Sequence, residues 1–323
     1  MTTFISKILR NNSRQAFTLV ALLLLGCVFS SCFTGIEGTK KINLSREDKK
    51  LSNPTSEERL MAAVTTTPLK DWQQGRDFLV ADDKALFVIV PQQGIVSIAP
   101  EKIKGETLHF QGVESKMNVA GKIVLSILFS DGVYLYAYDT GKEFDDAMET
   151  VMSDQVPMLI DLDMVVQARK LLTGKKVYTR SPLWYDREGN RINGRKFVEV
   201  TITDVMPGDM VFPLWVKFTS AETPEAYMYM NLGNADNESR AFHNLFSLTD
   251  VRRHYPNIDD ETWEYISPGK VKEGMTKDEV RLSMGNPTDL RSGHDYSQTL
   301  DIWGYENGTV LWFEDGRIVR IRQ

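Results

Sequence analysis

The stretch GMTKDEVRLSMGNP, residues Gly274–Pro287, predicts one short helix with a defined start and a defined end. Thr276 and Glu279 have the spacing of a capping box, in which each side chain binds a free backbone N–H at the start of the helix. Met275 and Val280 are placed to form a hydrophobic staple across the same turn. A helix of this length is unstable alone in water. We therefore expect it to pack against another element of the fold.

The end of this helix and the segment that follows it indicate what it packs on. Gly285 suits the left-handed position after a helix, and Pro287 stops the helix from continuing. Residues 299–322 (TLDIWGYENGTVLWFEDGRIVRIR) then contain three short apolar runs separated by Asn307-Gly308 and Asp315-Gly316. Both dipeptides favour the type I′ turn of a β-hairpin. The sequence therefore predicts a three-stranded antiparallel meander with an apolar face for the helix.

Two segments before this helix are also predicted to be helical. They are FHNLFSLTDVRRHYP (Phe242–Pro256) and DDETWEYI (Asp259–Ile266), the second with Asp259 or Asp260 as its cap. Helices that cover one face of a sheet form a two-layer α+β module. We assign residues 239–323 to this helix-helix-three-strand module.

The order of these elements and several of their residues resemble the SmpA/OmlA family, also known as BamE. The shared pattern is a GMT-x-x-x-V-x-x-x-x-G-x-P helix, a W-x-Y strand and a closing Asp-Gly turn. In this chain the pattern falls on Gly274, Met275, Thr276, Val280, Gly285, Pro287, Trp303, Tyr305, Asp315 and Gly316. The resemblance implies a non-enzymatic outer-membrane lipoprotein that binds partners in the assembly of β-barrel proteins. A plain BamE lacks the long β-rich region that precedes the module here.

That β-rich region contains a weak internal repeat. Gly105 and Gly194 are 89 residues apart, and so are Phe129 and Phe218. A constant interval between two landmarks predicts a duplicated unit.

The strand patterns of the region predict a mainly β fold. Apolar and polar residues alternate, as in residues 196–202, and Gly, Asp and Asn bound the runs. We predict two small antiparallel barrels or sandwiches, a first β domain at residues 68–150 and a second at residues 151–238. Asp163 is placed to cap a helix over the segment MVVQARKLL in the second domain.

The first 32 residues have the layout of a secretory signal peptide. Lys7, Arg10 and Arg14 precede an apolar run from Ala16 to Phe29, which small residues follow. The run is shorter than the ~20 apolar residues of a membrane-spanning helix. We therefore predict export of residues 33–323 rather than a transmembrane anchor.

Both cysteines of the chain, Cys27 and Cys32, lie at the end of this signal peptide. The segments LLGC and FSSC that end in them resemble the cleavage sites of bacterial lipoproteins. We favour Cys32 as the acylated residue, because the whole apolar run then lies on the discarded side, and Cys27 is the alternative. Attachment through several acyl chains is stable. The predicted location is the cell envelope, lipid-anchored, at the outer membrane of a Gram-negative bacterium.

Residues 33–67 are polar and charged, and only Glu57–Val64 has the pattern of a short helix. This composition predicts a flexible tether that holds the folded body away from the lipid surface. The 323 residues carry a formal net charge of −6. The chain as a whole therefore has no basic footprint for nucleic acid.

Candidate catalytic and metal sites are few. Ser267–Lys270 (SPGK) has an S-x-x-K spacing, but its Pro and Gly predict a turn instead of a helix. Asp161 and Asp163 are interpreted as a strand end and a helix cap rather than metal ligands. The segment NADNE at residues 234–238 lacks the Gly and the distal Glu of a calcium loop, which favours a surface turn.

The four histidines, His109, His243, His254 and His294, are scattered without ligand spacing. The sequence also contains no metalloprotease, α/β-hydrolase, dinucleotide-binding or P-loop motif. We predict no catalytic residue, no cofactor and no metal site.

Two surface features allow more than one interpretation. The tyrosines at alternate positions (Tyr134, Tyr136, Tyr138 and Tyr227, Tyr229) suggest stacking on a sugar or peptide, or simply one face of a strand. The arginines Arg252, Arg253, Arg317, Arg320 and Arg322 suit an anionic head group or an acidic partner, or a solvated charged edge.

These features predict a non-enzymatic envelope lipoprotein that binds other proteins, with a role in outer-membrane protein assembly implied by the resemblance. Its partners are the membrane, through the lipid anchor, and envelope proteins whose identity the sequence does not reveal. One alternative is a periplasmic or surface hydrolase or glycan-binding protein with a cleft in the β domains, because catalytic groups need not be adjacent in sequence. The other alternative is an inhibitor of a secreted enzyme.

Overall fold

A computed structural model describes residues 54–92, 103–118, 121–150, 156–232, 240–295 and 298–323 of the chain. The predicted signal peptide, Cys27, Cys32 and residues 33–53 lie outside the described residues. The described part is mainly β, as predicted, with three antiparallel sheets and short helices. No helix in these ranges is both long enough and apolar enough to cross a bilayer.

The helices of the described part are short. They are α1 (Ser56–Met61), α2 (Phe144–Thr150), α3 (Leu162–Leu172), α4 (Phe242–Leu245), α5 (Asp260–Ile266) and α6 (Lys277–Met284).

The first sheet has six antiparallel strands. They are β1 (Asp77–Val80), β2 (Ile89–Pro91), β3 (Thr107–Met117), β4 (Ile123–Ser130), β5 (Leu135–Asp139) and β6 (Leu159–Asp161). Their order is β2-β5-β4-β3-β1-β6, so a strand from beyond residue 150 completes this sheet.

The second sheet has seven antiparallel strands. They are β7 (Lys176–Thr179), β8 (Leu183–Tyr185), β9 (Arg191–Asn193), β10 (Glu199–Pro207), β11 (Leu214–Ser220), β12 (Ala226–Met230) and β13 (Phe246–Ser247). Their order is β13-β7-β10-β11-β12-β8-β9.

The two sheets have the same connectivity. Strands β1 to β6 of the first sheet correspond in order to β7, β8, β10, β11, β12 and β13 of the second, and β9 is an additional edge strand. In both, the second strand of the unit pairs with the fifth and the sixth pairs with the first. The sequence predicts small barrels or sandwiches, and each sheet is open, with different strands at its two edges. This shared strand order is what a duplication would produce, and the duplication itself stays a prediction.

One landmark of the repeat keeps its place in the structure. Phe129 on β4 pairs with Phe110, directly before a β-bulge in β3. Phe218 on β11 pairs with Ile202, directly before a β-bulge in β10. The two phenylalanines are therefore structurally equivalent.

The other landmark is shifted, because Gly105 corresponds to Phe197 and not to Gly194. The amide of Gly105 donates to Val80 O, at the end of β1, over 2.9 Å. The amide of Phe197 donates to Thr179 O, at the end of β7, over 2.6 Å. Both residues have positive φ, 87° for Gly105 and 58° for Phe197. Phe129 follows Gly105 by 24 residues, whereas Phe218 follows Phe197 by 21. A fixed interval of 89 residues therefore fails here, because the hairpin between β3 and β4 is longer than the one between β10 and β11.

The core of the second sheet includes residues from before the first sheet. Met61 and Val64 are buried in the same cluster as Val165 and Phe218. Helix α1 carries a capping box of Thr55 and Glu58. The composition of residues 33–67 predicts a tether, but from residue 54 onward this segment belongs to the folded body.

Helix α3 forms where the sequence predicts a helix, but its N-cap is not the predicted residue. The Asp161 side chain accepts from the amide of Asp163 at 3.1 Å, so Asp161 is the N-cap and Asp163 lies in the first turn. The helix buries Met164, Val165, Ala168 and Leu172 against the second sheet.

The C-terminal module has four strands instead of three. They are β14 (Asp289–Asp295), β15 (Gln298–Gly304), β16 (Val310–Glu314) and β17 (Arg317–Arg322), paired in that order. The first of them has the sequence DLRSGHD, whose lack of apolar alternation gives no strand signal. Trp303, Leu311, Phe313 and Ile318 of the sheet pack with Trp263 and Val280 of α5 and α6.

The predicted helix start is confirmed, and the end differs in detail. The capping box of Thr276 and Glu279 is present at α6. Gly285 has a φ of 83° with an extended ψ of −165°, outside the left-handed helical region. Asp315 and Gly316 both have positive φ, as a type I′ turn requires, whereas Gly308 does and Asn307 does not.

The prediction of one helix over Phe242–Pro256 is wrong. Helix α4 ends at Leu245 because β13 begins there and pairs with β7. A single 3-10 turn follows at Val251–His254. The predicted α5 is confirmed, with Asp259 as its N-cap.

Candidate functional site

Strand alternation divides the second sheet into a core face and an outer face. On β11, Leu214, Val216 and Phe218 are buried in the core. Trp215 on β11 and Tyr229 on β12 point to the opposite side, because successive side chains of a strand alternate. This outer face carries large aromatic side chains that belong to none of the three core clusters.

We call these residues and the guanidinium beside them the aromatic surface. The group is Tyr185, Phe212, Trp215, Tyr227, Tyr229 and Arg240. All of them are half-buried except Tyr227, which is buried. Large side chains that are half-exposed on a sheet face remain available for contact with another molecule.

Trp215 and Tyr229 form the centre of the aromatic surface. They are direct cross-strand partners, and their rings are stacked with 5.1 Å between centroids and 19° between planes. Tyr185 meets Tyr229 edge-on at 5.2 Å, and Tyr227 lies 5.1 Å from Trp215. Pairs of this kind each stabilise a sheet by about 0.5–1.5 kcal/mol beyond their area burial. The rings are therefore fixed before any partner arrives.

Charged groups frame the rings. The Arg240 guanidinium lies 5.6 Å from the Tyr185 ring centroid and 5.1 Å from that of Phe212. Lys217 Nζ pairs with Glu225 at 2.6 Å and lies 5.8 Å from the Tyr227 ring centroid. The hydrogen bond to Lys217 lowers the pKa of the Glu225 carboxyl, while burial and the bond to Glu225 raise the pKa of Tyr227. These cations hold the edges of the aromatic surface in place.

Two buried N–H groups of the aromatic surface have no hydrogen-bond partner. They are the indole Nε1 of Trp215 and the Nη2 of Arg240. A buried donor without a partner costs about 1–3 kcal/mol. Strain, a functional role or a bridging water accounts for such a donor, and further buried polar atoms without a partner occur in Thr67, Asp83, Arg195 and Arg252.

The loop between β10 and β11 adds exposed apolar side chains to the aromatic surface. Met210 is 55% exposed and Val211 is 50% exposed. Phe212 follows them and connects the loop to Tyr229, with 6.4 Å between ring centroids. We call residues 209–212 the hairpin tip.

The hairpin tip has a fixed shape. Asp209 Oδ1 accepts from the amides of Val211 at 2.8 Å and Phe212 at 2.7 Å. A side chain on Gly208 would lie 2.1 Å from Phe212 O, so the turn requires glycine. Met210 and Val211 are thus held in the solvent by a rigid turn rather than by a mobile loop.

A cavity of about 320 Å³ lies under the hairpin tip. Met158, Met164 and Met210 line it together with Val211 and Leu232. Methionine side chains are unbranched and adapt to the shape of what they contact. The hairpin tip therefore adjoins both the aromatic surface and a methionine-lined cavity, whose walls also include Asp161, Asp209 and Asn231.

The first group of predicted tyrosines lies elsewhere. Tyr136 is 1% exposed in the core of the first sheet, and Tyr134 and Tyr138 pack against that core. Tyr136 donates to Asp131 Oδ2 at 2.7 Å, and burial raises its pKa. These tyrosines form one strand face, so the stacking interpretation applies only to Tyr227 and Tyr229.

The candidate metal and catalytic residues serve the fold. Asp161 binds the Arg76 guanidinium through two contacts, at 2.5 Å and 3.3 Å, besides capping α3. Ser267 is buried in the turn after α5, where its hydroxyl accepts from Arg252 at 3.1 Å. Lys270 is exposed and does not share a helix face with Ser267.

The histidines are dispersed through the described part. In the first sheet, His109 Nδ1 lies 2.6 Å from Asp77 Oδ1. His243 is in α4, and His254 is in the 3-10 turn. The side chain of His294 and the segment NADNE at 234–238 lie outside the described residues. Within those residues, His, Cys, Asp and Glu form no group of three or more that would hold a metal ion.

Sequence reasoning identified Tyr227 and Tyr229 but missed the rest of the aromatic surface. Trp215 joins the surface because strand pairing places it opposite Tyr229. Arg240 comes from a later segment of the chain and packs on Phe212. No local sequence pattern encodes these contacts. The run of polar and aromatic residues in LWVKFTS, opposite AYMYM, was the available signal. No protein-family model, curated protein or solved structure matches the chain.

Proposed function

We propose that the chain is a non-enzymatic binding protein whose contact face for a partner protein is the aromatic surface with the hairpin tip. The observation that carries this proposal is the Trp215–Tyr229 pair, half-exposed and outside the cores, next to the solvent-exposed Met210. Tyr, Trp, Met and Arg are the residues enriched at protein–protein interfaces, and Trp, Tyr and Arg dominate their binding energy.

The matching positions of the first sheet support a special role for this face. The cross-strand pair equivalent to Trp215 and Tyr229 is Ser126 and Asp139, joined by a hydrogen bond of 2.5 Å. A small polar pair is therefore sufficient for the same strand pairing. The aromatic pair in the second sheet is not needed to form the sheet, which favours a role in binding.

The rigid shape of the surface also supports binding. The Asp209 hydrogen bonds hold the hairpin tip, and the ring contacts hold the aromatic side chains. A contact face that is already ordered loses little conformational entropy when it binds. A hairpin with exposed Met and Val side chains would otherwise be a liability for aggregation.

The proposed location is the bacterial envelope, with the chain lipid-anchored through Cys32 or, alternatively, Cys27. This part of the proposal rests on the basic and apolar N-terminal segment and its small-residue cleavage site. The SmpA/OmlA-like pattern of residues 274–316 adds a proposed role beside outer-membrane assembly proteins. Replacing Cys32 by Ala should move the protein out of the membrane fraction, and continued anchoring would point to Cys27.

Site-specific photo-crosslinking in the native envelope tests the contact face. A photoreactive phenylalanine replaces Met210 in one variant and Met117, which is 67% exposed at the far end of β3, in the matched control. We expect a discrete protein adduct from position 210 and none of the same mass from position 117. Trp215→Ala should remove the adduct while the far-UV circular dichroism stays unchanged. Equal adducts from both positions would contradict the proposal.

A further inference from the structure

A second candidate site lies between the second sheet and the C-terminal module. It is an open cleft of about 730 Å³. Arg180, Lys196, His254 and Arg281 line it, and no described Asp or Glu does. In a chain with a net charge of −6, a cleft whose ionisable lining residues are Arg, Lys, His and Tyr, with no carboxylate, is a local reversal of sign. Clefts with walls of one sign concentrate counter-ions of the other sign.

Lys196 forms the floor of the cleft. Its side chain is almost fully buried, with the residue 8% exposed. Nζ donates to Leu282 O at 2.5 Å and to Ser283 O, two carbonyls in the last turn of α6. A cation is favourable at this end of a helix. These neutral partners leave the positive charge of Lys196 without a neighbouring carboxylate.

Several other acidic groups of this junction line a neighbouring cavity. A second cavity, of about 520 Å³, is lined by Glu199, Glu222, Asp250 and Glu264, and Phe197 lines both cavities. Arg195 pairs there with Glu222 at 2.9 Å and with Glu264 at 2.6 Å. The fold therefore pairs Arg195 with two carboxylates, whereas Lys196 donates to backbone carbonyls.

The exposed arginines at the rim keep donors available. Arg180 makes a 3.4 Å contact to Ser247 Oγ and interacts electrostatically with the nearby Glu57 carboxylate. Arg281 pairs with the exposed Asp278 at 2.8 Å and lies 4.9 Å from the Trp303 ring centroid. Each guanidinium has five N–H donors, so these contacts use only part of its capacity.

Apolar groups alternate with the basic ones along the cleft walls. Phe197, Leu282, Met284 and the exposed Tyr255 are lining residues. The described lining offers no glycine-rich loop that would bind a phosphate through backbone amides. Basic and apolar walls together suit an extended chain with both carboxylates and apolar side chains.

We infer that this cleft binds an acidic peptide segment of a partner protein, with carboxylates held by Arg180 and Arg281 and an apolar side chain placed beside Phe197. The inference is independent of the aromatic surface, since the two sites share no residue. Arginine binds carboxylates through paired, charge-assisted hydrogen bonds, which gives the cleft specificity as well as attraction.

Fluorescence anisotropy with a labelled ten-residue peptide of alternating Glu and Leu tests the inference on the folded chain. We expect saturable binding, and we expect Arg180→Gln with Arg281→Gln to weaken it by about tenfold or more. The matched control is Arg320→Gln with Arg322→Gln, which removes the same charge from the exposed β17 edge and should leave the affinity unchanged. Trp215→Ala should also leave it unchanged, which separates this site from the aromatic surface.

Three results would overturn the inference. One is equal binding of a peptide with Gln in place of every Glu. Another is equal weakening in the two arginine pairs, which would indicate general charge attraction. The third is no saturable binding, or full competition by inorganic phosphate at the same concentration of charge. A thermal melt of each variant shows whether a lost signal reflects binding or folding.

Discussion

The two β sheets have the same strand order but place their tyrosines on opposite faces. On β5 of the first sheet, Tyr136 and Tyr138 point into the core. On β12 of the second sheet, Ala226, Met228 and Met230 fill the core, and Tyr227 and Tyr229 point outward. A shift of one residue in the sequence pattern moves a whole set of side chains to the other face. The same architecture thus supports an aromatic core in one copy and an aromatic surface in the other.

The two sheets also differ in the turn before their third common strand, which is β3 in the first sheet and β10 in the second. The first sheet has Gly105 there, a residue without steric cost at positive φ. The second has Phe197, whose ring lies 5.8 Å from Trp263 in the core of the C-terminal module. A non-glycine residue in this region costs about 1–3 kcal/mol, which packing must offset. The second sheet is thus the one that contacts the C-terminal module, and its residue with positive φ lies at that contact.

The largest expected effect separates a core tyrosine from a surface tyrosine. Tyr136→Ala should lower the free energy of unfolding by about 3–5 kcal/mol, because it empties a buried aromatic site. Tyr229→Ala should lower it by about 1 kcal/mol, since the side chain is half-exposed. Urea unfolding of both variants measures the difference. Equal losses would show that the two faces are not distinct in energy.

The second prediction concerns the strained connection. Phe197→Ala should lower the free energy of unfolding by about 3 kcal/mol through loss of ring packing. Phe197→Gly should cost about 1 kcal/mol less than Phe197→Ala, because glycine tolerates positive φ. The usual order of Ala over Gly is thereby reversed. If urea unfolding shows that Phe197→Ala is more stable than Phe197→Gly, backbone strain at this position is contradicted.

We expect the buried Lys196 to make the free energy of unfolding depend on pH, an effect that we do not expect from the first sheet. Burial lowers the pKa of Lys196 to about 8, below the ordinary value of about 10.4. Between these values the unfolded chain binds the extra proton, so stability from this group rises as the pH rises and is constant below pH 8 or so. The gain between pH 8 and pH 9.5 should be about 1–2 kcal/mol.

Lys196→Met is the control for that gain. Urea unfolding of the variant should lack the rise seen in the unaltered chain over the same interval. Measurements stop below pH 10, because burial raises the pKa of Tyr305 to about 12 and ionisation of this tyrosine in the unfolded chain then opposes folding. Identical slopes for the two proteins would contradict the assignment to Lys196.

The smallest expected effect sharpens the comparison at the matching turn. Gly105→Ala should lower the free energy of unfolding by about 1 kcal/mol. A Cβ at this position meets no atom within 4 Å, so the cost comes from backbone strain alone. Thermal unfolding of this variant measures the cost of a side chain at positive φ in this turn, for comparison with the turn at Phe197. A loss well above this value would mean that the two turns differ in more than their side chains.

The features that the sequence predicted correctly are encoded locally. The capping box of α6 needs two residues three apart, and the Asp315-Gly316 turn needs one dipeptide. The residues of strand β14 do not alternate between apolar and polar, so the sequence predicts no strand there. The strand forms through its pairing with β15. The cap of α3 is Asp161 instead of the predicted Asp163, because the helix begins at Leu162. Arg76 contacts both carboxylates, at 2.5 Å and 3.6 Å.

The candidate sites depend on contacts that are remote in sequence. The alternation in AYMYM predicted a strand face but not which face meets the core, since that depends on what packs there. A phenylalanine at positive φ is unfavourable locally, so only the Trp263 contact explains Phe197. The cleft between Arg180 and Arg281 exists because two modules meet, and neither segment alone indicates it.

The attachment of α1 has a mechanical consequence. Glu57 accepts from Leu248 N at 2.9 Å, and Met61 and Val64 enter the core of the second sheet, although the first sheet follows them directly in the chain. A pulling force on the proposed lipid tether would therefore reach the second sheet first, through α1 and β13. The first sheet lies outside this load path. Tension from the proposed anchor would be borne by the sheet that carries the aromatic surface and the contact with the C-terminal module.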